Sequence, residues 1–128
     1  MKVLLDTHIL LWVIGESRAL TASARHIVTD GANELFFSSI SIAEVAIKHQ
    51  KCVALMPLSP DELLLGAEEC GIQKLAFDTR HAVALATLPL HHRDPFDRML
   101  LAQAKGSGMK ILSHDDHFPA YGDFVIAV

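Results

Sequence analysis

Apolar residues fall along this chain in two patterns. Short unbroken blocks, VLL at 3–5, LFF at 35–37 and IL at 111–112, are bounded by polar or turn residues. Between them, apolar positions recur at three- and four-residue spacing. Unbroken short blocks fit strands buried on both faces, and the longer spaced stretches fit helices. The pattern predicts strands over residues 2–5, 34–38, 72–77, 110–113 and 124–128. It predicts helices over 8–14, 21–30, 41–50, 61–70, 80–88 and 95–105. Gly15, Gly31, Gly71 and Gly106 stop four of the helices, and Pro95 opens the last one. Pro57 and Pro60 mark a loop, and LPLHHRDP is an extended loop with two prolines. Strands separated by helices imply βαβ units. The expected class is α/β, with a mainly parallel twisted sheet in one domain over residues 1–128.

Several acidic residues sit where predicted strands stop: Asp6 after VLL, Glu44 in SSISIAEVAIK, Asp94 and Asp97 in HHRDPFDR, and Asp115 in KILSHDDHF. In open α/β sheets the ligand crevice lies outside the carboxyl ends of the strands. Carboxylates that meet there repel one another unless a cation intervenes, and an all-oxygen cluster suits Mg²⁺ or Mn²⁺. The pattern reads as metal-assisted phosphodiester hydrolysis. Each residue also has a plainer reading. Asp6 and Asp94 are suitable helix N-caps. Glu44 completes a Ser-x-x-Glu capping box with Ser41. Asp97 suits the positive end of a helix dipole, and Asp116 the cap of a following turn. We read Asp94 as the cap and Asp97 as the ligand. Thr7 and Ser113 are accessory candidates that would orient carboxylates.

Charge modifies this picture. Eleven Lys and Arg stand against 15 Asp and Glu, for a net charge of −4. That balance disfavours a polyanionic ligand, since basic surface supplies most non-specific affinity. Setting aside four carboxylates as metal ligands leaves 11 against 11. Lys48, Arg93 and Arg98 lie close in sequence to the acidic motifs and are candidate phosphate contacts. Cys52 and Cys70 are the only cysteines, which fits reduced thiols in a cytoplasmic protein. No apolar run approaches the roughly 18 residues of a membrane span. The opening MKVLLDTHILLWVIG is interrupted by Asp6 and His8, so it reads as strand then helix rather than as a signal peptide.

The segments LLDTHILLW, SSISIAEVAIK, LPLHHRDPFDRMLLAQA and ILSHDDHF together resemble the PIN-domain family, and within it the VapC-like ribonuclease toxins of toxin–antitoxin systems. The resemblance covers nearly the whole chain, and LPLHHRDPFDRMLLAQA is its most specific part. It implies a three-layer α/β/α fold and a metal-dependent endoribonuclease. It implies Asp6, Glu44, Asp97 and Asp115 as the acidic set, with Asp6, Asp97 and Asp115 on Mg²⁺ or Mn²⁺. It also implies a small cognate antitoxin and a homodimer. The chain departs from the family at Ala43, where VapC-like chains often carry Trp. The consecutive apolar residues from Ile9 to Ile14 need cover on every side. Trp12, Ala46, Ile47 and the 63–65 segment are therefore expected to form a groove for an apolar antitoxin segment. Two other readings compete. A haloacid-dehalogenase-like phosphatase would use Asp6 as nucleophile, but it wants a second Asp where His8 stands. A non-catalytic PIN-fold binding module would keep the fold without the chemistry.

Overall fold

The computed structural model describes residues 1–128. Five strands form one sheet: β1 (Lys2–Leu5), β2 (Glu34–Ser38), β3 (Gln73–Leu75), β4 (Lys110–Ser113) and β5 (Val125–Ala127). Their order is β3-β2-β1-β4-β5, and every neighbouring pair is parallel. Six helices accompany them: α1 (Thr7–Ile14), α2 (Ala22–Thr29), α3 (Ser39–Lys51), α4 (Pro60–Glu69), α5 (Thr79–Ala84) and α6 (Pro95–Gly106).

Side chains alternate across a strand, so each apolar block feeds two cores at once. Val3, Leu5, Phe37 and Leu112 enter one core with Ile9, Leu10, Ala24, Val45 and Leu63. Leu4, Phe36 and Ile111 enter the other with Leu100, Leu101, Ala104 and Phe118. This gives three layers, α/β/α, and explains why the strands show no polar alternation. Truncating a wholly buried residue such as Leu4 to Ala costs about 2–5 kcal/mol.

Local sequence sets the boundaries. Ser59 and Glu62 form a capping box at the start of α4. Gly71, at φ 72°, lets the chain leave α4 with the Ile72 N–H donating to the Ala67 carbonyl at 3.0 Å. Gly66 permits the close approach of α4 to α1, because a Cβ there would lie 2.6 Å from Ile14 Cγ2.

Three expected elements differ by more than one residue at a boundary. Residue 88 does not end a continuous helix. The chain passes from α5 into a 3-10 turn, Leu85–Thr87, and then extends at Leu88, because a residue before proline disfavours helical backbone. The third strand is shorter than residues 72–77. The third helix begins at Ser39, with Ser38 as its cap, so Ser41 and Glu44 make no capping box.

The strand order reverses direction between β1 and β4. In a parallel sheet that reversal opens a crevice at the carboxyl edge. Helices that link parallel strands start at this edge, which brings the first turns of α1, α3 and α6 beside it.

Candidate metal centre

Asp6 leaves the end of β1 and caps α1. Its Oδ1 accepts the Ile9 N–H at 2.8 Å, and its Oδ2 accepts the Ser113 hydroxyl at 2.5 Å. Ser113 ends β4, so this contact closes the crevice floor between two adjacent strands. Ser113 Oγ also accepts the Asp115 N–H at 3.0 Å, fixing the next carboxylate. The Asp6 side chain is 3% exposed, and burial raises its pKa against the opposing pull of Ser113 and Ile9.

Glu44 lies in the second turn of α3 and is also 3% exposed. Its Oε2 is ion-paired with Lys48, and its Oε1 is buried without a hydrogen-bond partner. Asp94 caps α6, its Oδ1 accepting from the N–H groups of Phe96 at 2.9 Å and Asp97 at 3.3 Å. That cap turns Asp97 inward. Desolvation pushes the Asp97 carboxyl up to about 8, reinforced by the negative charges of Asp94, Glu44, Asp6 and Asp115. Asp97 therefore feels all three other carboxylates of the acidic set, delivered by different elements. Asp115 moves the other way. Partial burial works to raise it, but hydrogen bonds from the His117 backbone and ring, and the His92 ring, carry it below the usual range.

Asp6 and Asp115 line a cleft of about 240 Å³ with His8, Trp12 and His114. Trp12 stands edge-on to His114 at 5.8 Å and lies 6.1 Å from His8. Trp12 thus belongs to the wall of the acidic cleft. The groove expected from Trp12, Ala46, Ile47 and residues 63–65 does not form as such: of these only Leu64 lines an apolar pocket, of about 310 Å³, together with Phe37, Ile42 and Leu75. Leu63 is wholly buried in the core.

The PIN domain family model matches residues 3–123. This chain belongs to the PIN domain family. No curated protein matches it. Solved structures with the same fold include VapBC2 from Rickettsia felis bound to a promoter DNA fragment. It has 13% identity, a TM-score of 0.68, and coverage of 100% of this chain and 98% of that one. A toxin–antitoxin complex from Klebsiella pneumoniae has 16% identity and a TM-score of 0.65, covering 98% and 96%. FitAcB from Neisseria gonorrhoeae has 20% identity and a TM-score of 0.62, covering 97% and 96%.

In this PIN domain the residues flanking the acidic set have varied roles. Thr7 Oγ1 pairs with Ser41 Oγ at 2.9 Å, so it braces α1 against α3 rather than touching a carboxylate. Asp116 is exposed and outside the cluster. Arg93 is exposed and available to solvent. Lys48 is held by Glu44. Desolvation works to lower the Lys48 pKa, but Glu44, Asp94 and Asp97 carry it above its usual value. Arg98 departs from the expected phosphate contact. Its guanidinium is engaged by the carbonyls of Pro89 at 2.8 Å, Leu88 at 3.2 Å and Leu85 at 3.5 Å, and by the Tyr121 hydroxyl at 3.4 Å. It fastens the 85–89 segment to α6.

Sequence reasoning missed His92. Its Nε2 lies 3.0 Å from Asp97 Oδ2 and 3.2 Å from Asp115 Oδ2. Spacing gave no signal, because the partners are 5 and 23 residues away. The only hint was its position beside Asp94 in the loop that leads into α6. The tightest group of metal-ligating atoms is His92, Asp115 and His117, within 4.8 Å of one another.

Proposed function

We propose that this chain is a metal-dependent endoribonuclease acting as the toxin of a toxin–antitoxin pair. The observation that carries the reading is Asp97. Its carboxyl is pushed up to about 8, first by desolvation and then by Asp94, Glu44, Asp6 and Asp115. Such a pocket favours a divalent cation. The donor set fits one, being all carboxylate oxygen, with Glu44 Oε1 buried and unpartnered. Asp6, Asp97 and Asp115 would hold Mg²⁺ or Mn²⁺, with Glu44 as a further ligand or as a base. When bound, the ion supplies Lewis acidity that lowers the pKa of water and offsets charge on a phosphate.

The chain's own residues supply the geometry. Ser113 orients Asp6 and Asp115 with one hydroxyl. Asp94 holds the first turn of α6 so that Asp97 faces the crevice. Glu44, buried and ion-paired with Lys48, would serve as the further ligand or base. Arg93, exposed at the rim, suits a backbone phosphate.

The toxin assignment draws support from the likeness to the VapBC2, FitAcB and Klebsiella complexes. By the same reading, a small antitoxin encoded nearby inhibits the chain, and two copies pair as a homodimer. An inhibitor with a basic side chain would suit the acidic cleft. The test is RNA cleavage with Mg²⁺ or Mn²⁺ by the wild-type chain and by Asp6→Asn. Cleavage that persists in EDTA, or in Asp6→Asn, contradicts the nuclease reading. Growth arrest on expression, relieved by co-expressing the neighbouring reading frame, tests the toxin reading separately.

A further inference from the structure

The His92 ring has a hydrogen bond at each nitrogen. Nδ1 receives the backbone N–H of Asp94 at 3.2 Å. Nε2 faces Asp97 Oδ2 at 3.0 Å and Asp115 Oδ2 at 3.2 Å. An amide N–H cannot be an acceptor, so Nδ1 must offer its lone pair. The ring proton is then on Nε2, where it donates to Asp115 Oδ2, with Asp97 Oδ2 alongside the same nitrogen. The partners therefore select one tautomer and direct its single N–H at Asp115.

The ring is also held in place. The His92 backbone N–H donates to the Tyr121 hydroxyl at 2.8 Å. The ring stands edge-on to Phe118 at 5.9 Å and lies 4.7 Å from the His117 ring. Its side chain is 12% exposed. Arg98, which donates to the same Tyr121 hydroxyl, also ties down the carbonyls of Leu88 and Pro89 just upstream. The loop is thus pinned on both sides of the histidine.

We infer that His92 is a positioning residue that fixes the Asp115 carboxylate through its Nε2–H and sets it beside Asp97. This rests on the metal reading above and assigns it a residue that the acidic motif does not contain. Asp97 comes from the first turn of α6 and Asp115 from the loop after β4. The His117 backbone N–H already holds Asp115 Oδ1 at 2.7 Å. His92 Nε2 engages the other oxygen, Oδ2, and lies 3.0 Å from Asp97 Oδ2, so one ring nitrogen links the two segments.

The competing reading is that His92, Asp115 and His117 ligate a metal directly, since their donor atoms lie within 4.8 Å. The hydrogen bonds argue against it. Ligation through Nε2 requires the lone pair there and the proton on Nδ1, where it would face the Asp94 N–H.

Two measurements decide. Long-range proton–nitrogen NMR of the ¹⁵N-labelled wild-type chain reads the tautomer, with the His92 signals identified by their disappearance in His92→Gln. The expected result is a protonated Nε2 and a bare Nδ1, unchanged on adding Mg²⁺. A protonated Nδ1, or loss of the Nε2 proton on adding Mg²⁺, overturns the inference. The second measurement is Mn²⁺ affinity by calorimetry. His92→Leu should weaken binding about 10–100-fold, the usual cost of removing a group that orients ligands. His92→Gln keeps an N–H near the Nε2 position and should recover most of that loss. Equal affinity in all three overturns the inference and leaves the metal reading intact. A wild-type chain that binds no Mn²⁺ overturns both. Should His92→Leu not fold, the tautomer and the His92→Gln affinity decide.

Discussion

Lys48 is ion-paired with Glu44 one helical turn before it, and the other oxygen of Glu44 is buried with no partner. Half of this carboxylate is neutralised by the chain itself. Asp97 feels the charge of Glu44 together with those of Asp94, Asp6 and Asp115. In the proposed site the unpartnered oxygen would be open to a cation. The ion pair also means that Lys48 serves the fold before it serves any nucleic acid.

Replacing Lys48 with Met should destabilise the protein, because it leaves a buried carboxylate without its counterion. Breaking a fully buried pair costs about 3–5 kcal/mol. Lys48 is 41% exposed, so about 1–2 kcal/mol is expected after allowing for solvent screening. Adding Glu44→Gln should restore most of that loss in a urea-denaturation double-mutant cycle. Additive losses in the two single variants would show that the ion pair is not the cause.

Asp6→Asn should preserve the fold and remove cleavage. The amide oxygen can still accept the Ile9 N–H, and burial already disfavours the charged form of Asp6. Changes beyond the ligands cost about 10–100-fold, so loss of a ligand should exceed about 100-fold in rate. Single-turnover RNA cleavage and a thermal melt, run on the same preparation, measure the two effects.

Metal-free stability should fall as pH rises from about 4 to 8. Over that window native Asp97 retains a proton that the unfolded chain, with its carboxyl near 3.8, has released. The contribution is complete below the unfolded value and is lost as pH passes about 8. Allowing for partial exposure, about 1–3 kcal/mol is at stake. Asp97→Asn should flatten the pH dependence of the melting temperature in EDTA and raise it at pH 8.5. It should also abolish activity.

Mg²⁺ should stabilise the wild-type chain. A ligand that binds only the native state adds about 2.7 kcal/mol at one hundred times its dissociation constant. The gain should vanish in Asp6→Asn. An unchanged melting temperature across a millimolar Mg²⁺ titration of wild type would count against the site.

Arg93 and Arg98 should behave oppositely. Arg93→Gln should flatten the salt dependence of RNA binding by about 0.7 in log–log slope, the value for one single-strand phosphate. Arg98→Met should instead cost about 1.5–3 kcal/mol of stability, since its hydrogen bonds go to protein carbonyls.

Much of this molecule was legible in its residues. The apolar blocks VLL and LFF had no polar alternation, which marks strands covered on both faces, and these two strands lie within the sheet interior. Pro95 and Asp94 fixed the start of α6, because proline suits a first helical position and aspartate a cap. Glu44 was less legible. Two serines, Ser38 and Ser41, could each have capped α3, and only the end of β2 at Ser38 decided between them.

Sequence alone determined which elements form, because hydrophobic period, proline and cap chemistry act over a few residues. It also determined that acidic residues follow the strands. Tertiary structure decided what those residues meet. The order β3-β2-β1-β4-β5 sets β1 beside β4, and that neighbourhood joins Ser113 to Asp6 across 107 positions. His92 between Asp97 and Asp115, and Arg98 turned toward loop carbonyls instead of solvent, depend on contacts between segments far apart in the chain. Such contacts are set by how the layers pack, and no local pattern encodes them.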